Sequence, residues 1–193
     1  MAKKLFETIA TASPLQELPL WIADFKGMRD KEENFVYVDK TAYLHELTRK
    51  KGCYFFARPR RFGKSLMLST IEAIYEGKRE LFKGLAIDVL QKKWDSRAVI
   101  HLDMSTVKEE TLEAFEQMLR SMFRALYKKH KVPFVLDLPA TMFRDVITTL
   151  QETTGKQVVI LIDEYDAPIL NVLSNAENAK LVRASMQKIY NVL

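Results

Sequence analysis

Tyr54-Phe55-Phe56-Ala57-Arg58-Pro59-Arg60-Arg61-Phe62-Gly63-Lys64-Ser65 passes from an apolar, aromatic run through a basic loop to Gly-Lys-Ser. Cys53 to Ala57 predicts a buried strand, and Pro59 ends it. Behind Gly-Lys-Ser the apolar positions Met67, Leu68, Ile71, Ile74 and Tyr75 recur at three- and four-residue steps. That spacing predicts a helix from about Lys64 to Glu76, stopped at Gly77. Strand, loop, Gly-Lys-Ser and helix in that order form the context of a phosphate-binding loop. Gly63 lets the backbone approach phosphate, Lys64 supplies a point charge to the β- and γ-phosphates, and the Ser65 hydroxyl is a Mg²⁺ ligand. The new helix aims its free N–H groups at the anion.

One position departs from G-x-x-x-x-G-K-[ST]: Arg58 stands where the first glycine belongs. Arginine adopts glycine-only backbone angles at a cost, so either the loop enters by another route, braced by Pro59, or it does not bind nucleotide in the standard way. Arg60 and Arg61 are open to two readings, contacts to phosphate or to a nucleic-acid backbone on one side and solvated loop arginines on the other.

The rest of the chain is read for the missing parts of such a site. Val158-Val159-Ile160-Leu161-Ile162-Asp163-Glu164 is an apolar, β-branched run that ends in two acids. A parallel strand over Gln157 to Ile162 would deliver them to the ligand edge of a sheet. Asp163 then holds Mg²⁺ with Ser65, and Glu164 orients or deprotonates an attacking water. Taken alone, two acids after a strand read as its terminator or as the cap of the turn before Pro168; Gly-Lys-Ser upstream turns the reading to a nucleotide site. Asp166 is a turn cap or a supporting hydrogen-bond partner. Asp103 ends the strand Val99 to Asp103 and is read as structural, as is His101 within it.

Composition fits one α/β core: 193 residues, 48% hydrophobic and 28% charged, with a net charge of +5 that favours anionic partners. A single cysteine, Cys53, excludes an internal disulfide. Three scattered histidines give no zinc-ligand spacing. No apolar run is long enough for a membrane span or a signal sequence, so a cytoplasmic protein is expected. Before the loop, Leu5, Phe6 and Ile9 could form one turn. Trp21 to Phe25 and Phe35 to Val38 read as a small hairpin or an irregular lead-in, and Asp39 as the cap of a helix ending near Lys51-Gly52. After it come a turn at Arg79 to Phe82 closed by Gly84, a helix over Glu109 to His130 and another from Pro139 to Gly155. A last helix over Ala176 to Leu193 is expected to bury Leu181, Ser185, Ile189 and Leu193. Strands alternating with helices predict a parallel sheet flanked by helices.

Three strings, Phe35-Val36-Tyr37-Val38-Asp39-Lys40-Thr41, Ala57-Arg58-Pro59-Arg60-Arg61-Phe62-Gly63-Lys64-Ser65-Leu66 and Leu161-Ile162-Asp163-Glu164-Tyr165-Asp166-Ala167-Pro168, together resemble the bacterial and archaeal AAA-ATPase-like P-loop family. The resemblance runs from about Leu18 onward, and arginine in place of the first loop glycine is common in that family. It implies a P-loop NTPase-like fold over residues 35–193 with a lead-in over 1–34, and ATP with Mg²⁺ as cofactors. It also implies a Walker A loop at Arg58 to Ser65, with Arg60, Arg61, Phe62, Gly63, Lys64, Ser65 and Leu66 as the nucleotide contacts. A Walker B strand would end at Asp163 and Glu164, with Lys64 and Glu164 as the catalytic pair. Family members are longer, often with a C-terminal domain like a PD-(D/E)XK nuclease, and a later strand carrying a sensor residue completes related sheets. The chain is therefore expected to be the N-terminal part of a longer protein, in which nucleic acid is a partner and oligomers are allowed. Two other readings remain beside it. One is a nucleic-acid-associated module using Arg58 to Arg61, with nucleotide only regulatory. The other is a non-functional fragment.

Overall fold

The computed structural model describes residues 16–30, 32–59, 61–107, 111–133 and 137–193. The turn expected at Leu5 to Ile9 lies outside them. The described chain divides into two compact units: residues up to Ile74 with Lys78–Trp94, and Tyr75–Gly77 with Asp95–Leu193.

The first unit is helical. Its elements are α1 (Phe25–Met28), α2 (Thr41–Arg49), α3 (Lys64–Tyr75), a 3-10 turn (Arg79–Phe82) and α4 (Ala86–Leu90). The expected alternatives for the lead-in resolve to the irregular one. Glu17 makes one isolated parallel bridge to Phe35, and Phe25 is buried on α1. Its ring meets Phe82 at 4.7 Å and Tyr37 edge-on at 5.5 Å. The Phe25 N–H also donates to Ser69 Oγ of α3 at 2.9 Å. Asp39 stands one residue before the N-cap, Lys40, yet does the capping: its Oδ1 accepts from Thr41 N at 2.8 Å. Its Oδ2 accepts from Ala86 N at 2.7 Å, which ties the start of α2 to the start of α4.

One expectation fails here. Cys53 to Ala57 joins no strand ladder among the described residues, and Phe55 is 70% exposed. The sequence is apolar enough for a buried strand. A strand, however, is defined by a neighbouring strand that takes up its N–H and C=O groups in a ladder, and among the described residues the one ladder pairs two other segments, Val99–Asp103 and Val159–Asp163.

The second unit is an α/β layer. β1 (Val99–Asp103) and β2 (Val159–Asp163) form a two-stranded parallel sheet in register, Val99 opposite Val159 and Asp103 opposite Asp163. The crossover between them carries α5 (Leu112–His130) and α6 (Pro139–Thr154), and α7 (Ala167–Asn171) and α8 (Ala176–Tyr190) follow β2. α5 opens at Thr111, whose Oγ1 accepts from Ala114 N at 3.3 Å. Glu109, its expected first residue, is outside the described residues. Pro139 starts α6 and Gly155, left-handed at φ 61°, ends it, as expected.

Helices α5 and α6 face each other through Phe123 and Phe143, whose rings stack at 5.1 Å and are fully buried. Burying each such side chain contributes on the order of 1.5–3 kcal/mol. Tyr127 Oη donates to Asp145 Oδ2 at 2.8 Å, a second tie between the same helices. α8 buries part of the face its spacing predicts. Ser185 and Ile189 are buried as expected, joined by Val182 and Met186, while Leu181 and, beyond the helix end, Leu193 are exposed. Leu181 and Val182 both satisfy helical periodicity, and the positions of α5 and α6 select between them. Among the described residues no helix is long and apolar enough to cross a membrane.

Candidate functional site

The expected site residues divide between the two units. Arg61 to Leu66 lie in the first, at the entrance to α3, and Asp163 and Glu164 lie in the second, at the end of β2. Arg60 is outside the described residues.

In the first unit the loop turns by left-handed residues at Arg61 (φ 66°) and Gly63 (φ 74°). Arg58 is not among the left-handed residues, so the strain expected of an arginine in a glycine position does not arise there. It arises three residues later, at Arg61. Gly63 has no atom within 4 Å of where a Cβ would be, so the backbone angle, not crowding, calls for glycine. The first helical bond runs from Met67 N to Gly63 O at 3.0 Å. The N–H groups of Lys64, Ser65 and Leu66 therefore precede the intrahelical ladder and point out of the helix start. Lys64 Nζ donates back to Arg58 O at 3.3 Å, closing the loop on itself. Arg58 lies over the Phe56 ring at 5.1 Å, and Phe62 is 62% exposed.

In the second unit, parallel pairing brings Asp103 and Asp163 abreast at the C-terminal end of the sheet. Asp103 is structural, as read: its Oδ1 accepts from Ser105 N at 2.9 Å and starts the 3-10 turn Met104–Thr106. Asp163 is only 7% exposed, and its Oδ1 accepts from Glu164 N at 3.0 Å. Glu164 is left-handed, at φ 48°. Its carbonyl accepts from Ala167 N at 2.9 Å, which folds residues 163–167 into a tight turn. Asp166 takes the N-cap position of α7 without a side-chain cap bond. Two long-range bonds that no sequence spacing announces also reach this turn and the helix after it: Tyr190 Oη donates to Tyr165 O at 3.0 Å, and Asn171 Nδ2 donates to Val107 O.

Residues 19–193 match the family described as predicted AAA-ATPase. The chain belongs to that family. Membership carries nucleotide binding, and with it ATP and Mg²⁺, as the general expectation. A second similarity is to a protein of Azotobacter chroococcum mcd 1 described as "uncharacterized protein in vnfD 5′ region", 29% identical over 181 residues. That alignment takes in 92% of this chain and 34% of the Azotobacter protein, so the chain spans about a third of its relative's length. No solved structure matches.

Proposed function

We propose that this member of the family binds MgATP through the loop Arg58 to Ser65, with Asp163 and Glu164 as the acidic half of the site. The backbone of Gly63 to Leu66 receives the phosphates, with Arg60, Arg61 and Phe62 lining the approach. Lys64 moves from the Arg58 carbonyl to the β- and γ-phosphates. Ser65 and Asp163 are the Mg²⁺ ligands. When bound, the ion neutralises charge on the phosphate oxygens. Glu164 orients the water for in-line attack wherever the whole protein turns ATP over. The observation that carries this reading is the Gly63 turn. A left-handed glycine with open space beside it opens a twelve-residue helix directly onto Lys64 and Ser65. The chemistry of the donors agrees. A hydroxyl and one carboxylate suit an ion carried in on phosphate.

The exposure of Arg58, Arg61 and Phe62 favours a second reading, in which this loop meets single-stranded nucleic acid by charge and stacking. One titration separates the two. MgATP is expected to bind wild type and to bind Lys64→Ala at least tenfold more weakly, the cost of one charge-assisted contact. Equal binding by both proteins, or by neither, refutes the assignment. Salt-sensitive binding of single-stranded DNA that Arg60 and Arg61 substitutions weaken, with MgATP binding equal in wild type and Lys64→Ala, selects the second reading.

A further inference from the structure

We propose that Tyr190 is a positioning residue, holding the Glu164 turn through the hydrogen bond from its hydroxyl to the Tyr165 carbonyl. The role assigned to it rests on the reading of Asp163 and Glu164 as the acidic half of a MgATP site.

Glu164 sits at φ 48°, where an L-residue is strained. Such a conformation persists only where its surroundings over-determine it. Within the turn itself, Glu164 N–H donates to Asp163 Oδ1 at 3.0 Å and Ala167 N–H to Glu164 O at 2.9 Å. These bonds close the turn without fixing where it points. The bond from Tyr190, 25 residues further on, supplies an outside reference at the next peptide. That reference is firm because the core sets it. The Tyr190 ring lines a small apolar space with Leu102, Met104, Phe115 and Leu119, and α8 enters the core beside it through Met186 and Ile189. Burial, with Asp166 and the Tyr165 hydroxyl nearby, pushes the Tyr190 hydroxyl up to about 12, so it keeps its proton and remains a donor in ordinary buffers.

The carbonyl that Tyr190 grips belongs to the Tyr165–Asp166 peptide, the middle peptide of the turn that Ala167 N–H closes onto Glu164 O. A swing of that peptide alters the turn that begins at Glu164 and with it the aim of the Glu164 carboxylate, while Asp163, on the strand, stays where the β1 pairing puts it. Catalytic groups displaced by about 1 Å lose on the order of 10²-fold in rate. Tyr190 thus acts on the presentation of the carboxylate, not on nucleotide affinity.

The test is Tyr190→Phe, which keeps the ring and removes the hydroxyl. Amide hydrogen exchange at Glu164 and Ala167 is expected to accelerate about fivefold, the equivalent of one ordinary hydrogen bond, with the amides of α5 and α6 unchanged. MgATP affinity stays within twofold of wild type, an allowance set by ordinary surface effects. In protein that turns ATP over, kcat falls by at least about fivefold at unchanged KM. Wild-type exchange at both amides, uniform acceleration across the unit, or an unchanged kcat overturns the proposal. Failure of the nucleotide reading looks different. Wild type then fails to bind MgATP, and the local exchange contrast still reports the grip of Tyr190 on the turn.

Discussion

Replacing Glu164 by glycine should make the protein more stable and less able to act. The left-handed backbone at φ 48° costs an L-residue roughly 1–2 kcal/mol. Glycine removes that cost but carries about 0.5–1 kcal/mol of extra unfolded-state entropy. The net gain is therefore about 0.5–1 kcal/mol. For a chain of this size each kcal/mol moves Tm by roughly 2–4 °C, so Glu164→Gly should melt about 1–4 °C higher. Glu164→Gln keeps the strain and alters the charge, and should melt with wild type. Lys131 supplies an internal standard. It caps α5 at φ 56°, so Lys131→Gly carries the same backbone relief at a position with no assigned chemistry. Thermal unfolding by circular dichroism on the three variants decides the matter. If Lys131→Gly gains and Glu164→Gly does no better than Glu164→Gln, the turn at Glu164 stores no strain, and the argument for an outside clamp on it fails. If both glycine variants gain, the strain is real. The cost of presenting a carboxylate there is then the usual trade of stability against function.

Two further outcomes test the packing of the second unit. Phe123→Ala removes one ring of the stacked pair with Phe143 and should lose about 3–5 kcal/mol in urea unfolding; a loss under 1 kcal/mol would contradict the packed α5–α6 contact. His130 is held low by burial and by neighbouring Lys129, against the opposing pull of Glu76 and a backbone hydrogen bond at Val99. Its folded pKa lies below the unfolded value near 6.5, so the unfolded chain takes up the proton first. The stability it protects is full above about pH 6.5 and is lost as pH falls through the folded value. Tm measured from pH 7 to 5 should therefore decline in wild type and decline less in His130→Gln, and parallel slopes would refute the assignment.

The parts of this fold written in local pattern were legible in the sequence. Val99 to Asp103 is a strand with the expected bounds, and β2 ends one residue beyond the expected Ile162, on Asp163. Pro139 and Gly155 bracket α6 because each has a backbone preference that acts without neighbours. The features that depend on distant partners were not legible. Tyr54 to Ala57 has the composition of a strand, but composition carries no information about which chain will accept its hydrogen bonds. α8 could bury Leu181 or Val182 with equal periodicity, and the choice follows from packing. Asp39 reads as a cap from its place before α2, but nothing in the spacing announces its second oxygen's bond to Ala86, 47 residues away. At the candidate site the residue types were readable from spacing. The left-handed backbone at Arg61 and Glu164 was not, because neither residue type prefers it.

The in-register pairing of β1 with β2 has a consequence for how this chain can change length. Each residue of one strand is counted off against the residue with the same rank in the other, from Val99 with Val159 to Asp103 with Asp163. Deleting a single residue inside either strand would shift every later partner and turn every later side chain of that strand to the opposite face. Asp163 would then leave the position that buries it. An insertion between His130 and Pro139, in the connection from α5 to α6, changes no count. Gene-length variation compatible with this architecture is therefore confined to such joints, and the strands act as a ruler that permits no slip.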